Sequence, residues 1–265
     1  MVIDFHTHAF PDAVAQKALN AVQAAENIEP CTDGTVNGSI KKLKADGVDF
    51  GVVCSIATNA RQLPKVNSFA IDINDFSRSL IALGTAHPDS DILEDELQRV
   101  YDHDIKGIKI HPEYANYYID SPEWDKVFSI CEEMGLFVIT HAGLDMISPD
   151  RVAATPDRLA KVLDRHKKLT LVAAHLGGIS YWEQVNDVLC GRDNLYMDTA
   201  ILNRQGADPS IVRDIIVKHG DNKILFGSDM PWSEPKDELS FISSLGLDEK
   251  SMNKILFENA QKLLF

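Results

Sequence analysis

The chain opens Val2-Ile3-Asp4-Phe5-His6-Thr7-His8, a short apolar run that ends in two histidines two residues apart. In a β-strand, residues i and i+2 point to the same face. His6 and His8 therefore project side by side from the C-terminal end of the strand. Two neutral imidazoles held this way can chelate one metal ion. Such a pair also arises by chance, so the weight falls on whether other segments bring further ligands to the same place.

Seven more apolar runs follow: Val48–Thr58, Leu80–Ala86, Gly107–His111, Leu136–His141, Leu169–His175, Leu195–Thr199 and Lys223–Asp229. They are short and rich in Val, Ile and Leu, as parallel strands buried on both faces are. The segments between them read as helices. Pro11–Glu26 carries Val14, Ala18, Val22 and Ala25 on one stripe. Ser39 reads as an N-cap, with Gly47 just past the end of its helix. Ser121-Pro122 and Thr155-Pro156 each set a capping residue before a proline at the first helical position, and Gly135 and Gly220 end helical runs. Asp248–Leu264 closes the chain as a helix with Met252, Leu256 and Phe257 on one side.

Eight β–α units in 265 residues predict an α/β fold, a (β/α)8 barrel forming a single domain over residues 1–265. An open doubly wound sheet is the alternative. The histidines favour the barrel: closure makes the first and eighth strands neighbours, so His6, His8 and Asp229 can meet. The least regular stretch, Asn27–Gly38, is expected to loop over the barrel mouth.

Composition narrows the function classes. A formal net charge of -14 argues against duplex nucleic acid or an anionic membrane as partner. No run approaches the roughly 18 apolar residues needed to span a bilayer, and Asp4 and the histidines interrupt any secretory core. Cys31, Cys54, Cys131 and Cys190 show no paired spacing and read as reduced thiols of a cytoplasmic protein.

Six of the nine histidines end strand-like segments: His6, His8, His87, His111, His141 and His175. That is where active sites of barrel enzymes lie. His103, His166 and His219 sit in charged helical surroundings and read as solvated. Glycines follow His141 and His175 two residues on, at Gly143 and Gly177-Gly178, which admits a close ligand. Asp229, in Gly227-Ser228-Asp229-Met230-Pro231-Trp232, is a carboxylate after an apolar strand, costly to bury unless paired or bound to a cation. Lys109 and His111 share a strand face opposite Ile108 and Ile110; if the isoleucines face the helices, Lys109 points into the barrel and pairs with a carboxylate such as Asp4. His87 and His111 are read as pocket walls, or as hydrogen-bond donors behind the ligands, rather than as ligands themselves. Arg61, Arg151 and Arg204 gather in the loops that follow strands, which suggests a small substrate bearing a carboxylate or phosphate. Tyr114, Tyr117, Trp182 and Trp232 are candidate apolar walls.

With His6-Thr7-His8 after strand one, a histidine after strands five and six and an aspartate after strand eight, the chain resembles the amidohydrolase superfamily. The closer likeness is to its amidohydrolase-related branch, which includes aminocarboxymuconate-semialdehyde decarboxylase-like proteins. Ala173-Ala174-His175-Leu176-Gly177-Gly178, Gly227-Ser228-Asp229-Met230-Pro231 and the closing Glu258-Asn259-Ala260 carry it. The resemblance implies that His6, His8, His141 and Asp229 ligate one divalent metal, zinc in the first instance, with manganese or a second metal as alternatives. It implies that His175 is the catalytic histidine, with Asp229 handling a proton. In some superfamily members a carboxylated lysine on strand four bridges two metals; here Lys109 is expected to be unmodified, facing the pocket with a single metal. Lys109, His111, Arg61, Arg204 and Trp232 are the expected substrate contacts. Two enzymatic readings stay open. One is a metal-dependent hydrolase of an amide, lactone or other ester. The other is a non-oxidative decarboxylase of an unsaturated or aromatic acid. A third is a binding protein without turnover. Barrels of this kind often pair, so a homodimer is expected.

Overall fold

Eight parallel strands lie side by side in sequence order in the computed structural model, which describes residues 1–26 and 28–265. They are β1 (Ile3–Thr7), β2 (Phe50–Cys54), β3 (Leu80–Thr85), β4 (Gly107–Ile110), β5 (Phe137–Thr140), β6 (Leu171–Ala173), β7 (Leu195–Asp198) and β8 (Ile224–Leu225). The ring is drawn together where the chain after β8 meets β1: Phe5 N–H donates to Phe226 O at 2.7 Å, Asp229 N–H to His6 O at 2.8 Å and His8 N–H to Met230 O at 2.6 Å. The nearly closed (β/α)8 barrel is thus the architecture expected, and the open sheet is excluded.

β8 is shorter than the expected 223–229 run, for a local reason. Beyond Leu225 its amides leave the ladder: Phe226 N–H donates to Ile255 O at 2.9 Å, Gly227 N–H to Thr199 Oγ1 at 3.1 Å and Ser228 N–H to Asp4 Oδ1 at 2.9 Å. The Ile255 carbonyl is free to accept because the closing helix loosens into a π turn over Lys254–Glu258, with Asn259 N–H bonded to Lys254 O. Asn259 then donates its side-chain amide to Ile224 O at 2.8 Å and Asp221 O at 2.7 Å. The helical face that packs inward carries Ile255, Ala260 and Leu264.

The barrel interior is filled below the site by side chains from alternate strand positions, among them Ile3, Phe5, Val52, Leu83, Ile139 and Leu225. Phe5 and Phe137, from strands on opposite sides, approach to 5.7 Å between ring centroids. Gly107 carries no side chain because the Phe137 ring occupies that space: a Cβ there would lie 2.5 Å from it. Strict alternation along β1 would put His6 on the face opposite Ile3 and Phe5. The pairing of β1 with β2 instead slips by one residue between Asp4 and Thr7. Such a bulge re-aims the residues after it, so the inward face carries Phe5 below and His6 and His8 above.

Helix ends follow the proline and glycine signals at Ser121-Pro122, Thr155-Pro156 and Gly135, the last left-handed at φ 71°. The helix 36–45 differs. Its cap is Thr35, whose side chain accepts from Gly38 N–H at 3.0 Å, and Ser39 is buried within it. Of the Asn27–Gly38 stretch, Asn27 lies outside the described residues; Ile28 packs with Leu19, Ile179, Ile201 and Trp232 beside the mouth.

Candidate active site

At the C-terminal ends of the strands lies a cavity of about 570 Å³ with His6, His8, Lys109, His111, His141, His175 and Asp229 along its lining. Its floor is a connected polar network. His6 Nδ1 lies 2.9 Å from Asp198 Oδ2. Burial and the neighbouring Lys109 ammonium hold the pKa of His6 below its usual value. Burial pushes Asp198 up, but the adjacent His6 more than offsets this and holds it at about 2. The pair is thus a neutral imidazole donating from Nδ1 to a carboxylate, which leaves the Nε2 lone pair facing the cavity. Asp198 also accepts from His175 N–H at 2.9 Å and Ala200 N–H at 3.0 Å.

Three donor atoms converge above this pair. Asp229 Oδ1 lies 3.0 Å from His8 Nε2 and 3.5 Å from His6 Nε2. Despite burial, His6 and His8 hold the Asp229 carboxyl well below the usual carboxylate range. Gly227 makes this approach possible, since a Cβ there would stand 2.9 Å from that of His6. Asp229 itself sits in the left-handed region at φ 69°, and so does His175 at φ 58°. Such backbone costs on the order of 1 kcal/mol or more per non-glycine residue and persists where surrounding bonds over-determine it. Here those bonds include Asp229 N–H to His6 O and His175 N–H to Asp198.

His175 Nδ1 lies 3.2 Å from Ala200 O, which makes Nδ1 the protonated nitrogen and leaves a lone pair on Nε2. Burial lowers its pKa to about 4, so the ring is neutral near pH 7. Its Nε2 lies 3.1 Å from His141 Nδ1. Two imidazole nitrogens at that separation either share a proton or share a cation. His141 is therefore placed beside His175 and not within the His6–His8–Asp229 trio, and its buried Nε2 has no hydrogen-bond partner. Its ring stacks on His111 at 4.3 Å, and His111, Glu113 and His141 form another cluster of potential ligands.

Lys109 is buried in the interior, with Ile108 and Ile110 on the helix-facing side. Its partner is not Asp4: Nζ lies 3.1 Å from His6 Nε2, while Asp4 accepts from Ser228 Oγ at 2.5 Å and from its N–H. Of the remaining expected contacts, His111 and Trp232 line the cavity. Arg61 and Arg204 do not; both are exposed, and Arg204 is anchored through its backbone N–H to Glu238. Arg151 is spent on Asn116 and the Tyr118 ring. Trp182 donates to His175 O at 3.1 Å and Tyr117 to Asp89 at 2.8 Å, so both are braces and not walls. His87 is buried but lies outside the cavity lining. His166 and His219 are buried too, contrary to the solvated reading: His166 lies between Asp125 and Glu132, and His219 beside Leu195 O.

Two residues that carry the site went unread. Asp198 ends Leu195-Tyr196-Met197-Asp198, a carboxylate after an apolar strand, the same signal that marks Asp229. Glu113 follows His111 by two residues and is equally buried.

The donor set fits a divalent cation: His6 Nε2 with its other nitrogen fixed by a carboxylate, His8 Nε2 and the ionised Asp229, while His141 falls in the neighbouring cluster with His111 and Glu113. Among the described residues no helix is long and apolar enough to cross a membrane.

A family model for amidohydrolases matches residues 3–265. Solved structures similar to the chain include an uncharacterised TIM-barrel protein from Bordetella bronchiseptica, at 19% identity over 99% of this chain and 98% of that one, TM-score 0.80. Another is 5-carboxyvanillate decarboxylase from Sphingomonas paucimobilis, at 16% identity, 99% and 98% coverage and TM-score 0.74. A third is a candidate 2-pyrone-4,6-dicarboxylic acid hydrolase from Pseudomonas putida, at 14% identity, 99% and 97% coverage and TM-score 0.68. Among curated proteins none matches significantly.

Proposed function

The chain belongs to the amidohydrolase family, and on that footing we propose that it is a metal-dependent hydrolase of an amide, lactone or other ester. The observation that carries the reading is the convergence of His6 Nε2, His8 Nε2 and Asp229 Oδ1 at the floor of the cavity, with Asp198 fixing His6 from behind. These three residues, with His141 as the fourth, would hold one divalent cation, zinc by the mixed nitrogen and carboxylate donors. Such an ion supplies a Lewis acid that polarises a carbonyl and acidifies water.

The protein's own groups do the rest. Asp229, ionised and facing the cavity, accepts the proton that the attacking water gives up. His175 presents an unprotonated Nε2, kept so by the bond from its Nδ1–H to Ala200 O, and positions the scissile group and the proton delivered to the leaving atom. Lys109 Nζ lies 3.1 Å from His6 Nε2 at the floor, and we take it as unmodified. The bond broken is C–N or C–O, the bond formed joins the acyl carbon to the water oxygen, and the water's protons end on the acid and the leaving group.

A second reading, loss of carbon dioxide from a carboxylic acid with a proton taken up at carbon, is favoured by the buried Lys109 cation, which suits a carboxylate, and by the likeness in fold to 5-carboxyvanillate decarboxylase. We place the enzyme in the cytoplasm, in keeping with four free thiols. Metal analysis with product analysis tests these assignments. One equivalent of metal per chain and a product heavier by one water support the hydrolase; released carbon dioxide supports the lyase; two equivalents of metal would point to a bridging, modified Lys109.

A further inference from the structure

The walls above this floor are of another character. The helix α1 (Asp12–Glu26) turns Ala15 and Leu19 into the fold, while Val14, Ala18 and Val22 line the cavity. The same lining includes Phe69, after β2, and Met146 and Ile147, after β5, the strand opposite β1 in the ring. Val14 is 45% exposed, Met146 43% and Ile147 37%, so apolar side chains that have no interior to fill gather round one opening. An exposed apolar patch of this kind marks a binding surface, and it is continuous with the floor that holds His6, His175 and Asp229. Charge is sparse and balanced: Lys65 and Lys109 line the cavity against Asp145 and Asp229, and among the described residues no arginine lines it. A molecule with several carboxylates would find two lysines, Lys65 exposed and Lys109 buried at the floor, offset by Asp145 and Asp229.

We infer that the site takes a substrate with an extended apolar body, an acyl chain or unsubstituted aryl group, which runs from the metal-binding floor outward along α1 between Val14 and Met146. The inference rests on the reading of this cavity as the active site, and it names the substrate class of that reaction: an ester or amide of an apolar acid in preference to a small polycarboxylate. It replaces the expectation of an arginine-lined anion pocket.

Calorimetric binding of straight-chain carboxylates from acetate to decanoate to the metal-loaded protein, with phthalate as the compact dianion, tests it. Kd is expected to fall about fourfold per methylene, the value for a buried CH2, until the cavity is filled, and phthalate is expected to bind more weakly than octanoate. Val14→Asp and Met146→Glu, both at exposed positions outside the polar floor, are expected to flatten the chain-length series and leave acetate binding unchanged. A Kd indifferent to chain length, tighter binding of phthalate, or an unflattened series in both variants would overturn the inference. The readout is binding and not turnover, so a steep series in a protein that hydrolyses no ester would uphold the apolar site while defeating the hydrolase reading.

Discussion

The floor of the cavity and its walls hold their side chains by different means. Four polar groups on the floor are fixed by partners that are themselves held: His8 by Asp229, His6 by Asp198, Asp198 by two backbone amides, His175 by the Ala200 carbonyl. On the walls, Val14, Met146 and Ile147 carry apolar side chains that form no hydrogen bonds and stay 37% to 45% exposed. Directional bonds in a buried setting preorganise a reacting centre, and every loss there leaves an unsatisfied neighbour. Apolar contact is non-directional and additive by area. Substitutions on the floor should therefore act as switches, and those on the walls as gradual tuners.

The largest expected effect follows from removing a proposed floor ligand. His6→Ala takes away the Nε2 donor and strands the Asp198 carboxylate, so metal and turnover should vanish together, and His8→Ala should do the same. His175→Ala is the contrasting case. With the proposed role on substrate, its loss should leave metal content intact while turnover falls by roughly 10²-fold or more, the scale of a positioned acid–base group. Metal content and turnover measured on the same purified samples make the comparison. If His175→Ala empties the site as fully as His6→Ala, then His175 is a ligand, and its 3.1 Å approach to His141 marks a second metal position.

A smaller effect is expected one layer back. Asp198→Asn keeps the shape of the residue but can present its amide N–H to His6 Nδ1 and favour the wrong tautomer. Metal affinity or activity should fall 10- to 100-fold, as for other carboxylates behind a metal-binding histidine. A competitive chelator titration reads this directly. Unchanged affinity would mean that packing, and not the hydrogen bond, orients His6, and the contrast between floor and wall would weaken.

Which parts of this were legible in the sequence depends on how local the cause was. The eight apolar runs and the histidines that end them follow from side-chain periodicity alone, and the barrel follows from their count. The inward turn of His6 above Phe5 needed a register slip against β2, and a slip depends on the neighbouring strand. Val14, Ala18 and Val22 are visible as an apolar stripe, yet periodicity does not say whether a stripe faces a core or a cavity; here Ala15 and Leu19 take the core and the stripe takes the mouth. The side chain of Ala25, the fourth member of that stripe, lies outside the described residues. Arg61 and Arg204 occupy loops of the right rank but are exposed and do not line the cavity. Asp198 was readable by the same rule that marks Asp229 and lacked only a neighbouring motif to draw the eye.

The smallest effect on turnover, and a test of how the wall is held from behind, concerns Glu238. Its carboxyl accepts from Asn203 N–H at 2.9 Å, Arg204 N–H at 3.2 Å and Ser233 Oγ at 2.7 Å, tying the loop after β7, which carries Ile201 and Gln205 into the cavity, to the segment after β8. Burial pushes its pKa up to about 7 from an ordinary 4.5. The folded state thus binds the proton more tightly than the unfolded chain does. The stability this contributes is fully present below about pH 4.5 and is lost as pH rises through about 7, on the order of 3 kcal/mol at most. Glu238→Gln carries no titrating proton, so its melting temperature should lack that component of the decline. The measurement is Tm from pH 4 to 8 for both proteins, with the difference between the curves changing across the 4.5 to 7 window. Parallel curves would show that the three donors keep Glu238 ionised throughout, and that the wall is anchored by charge of the same kind as the floor.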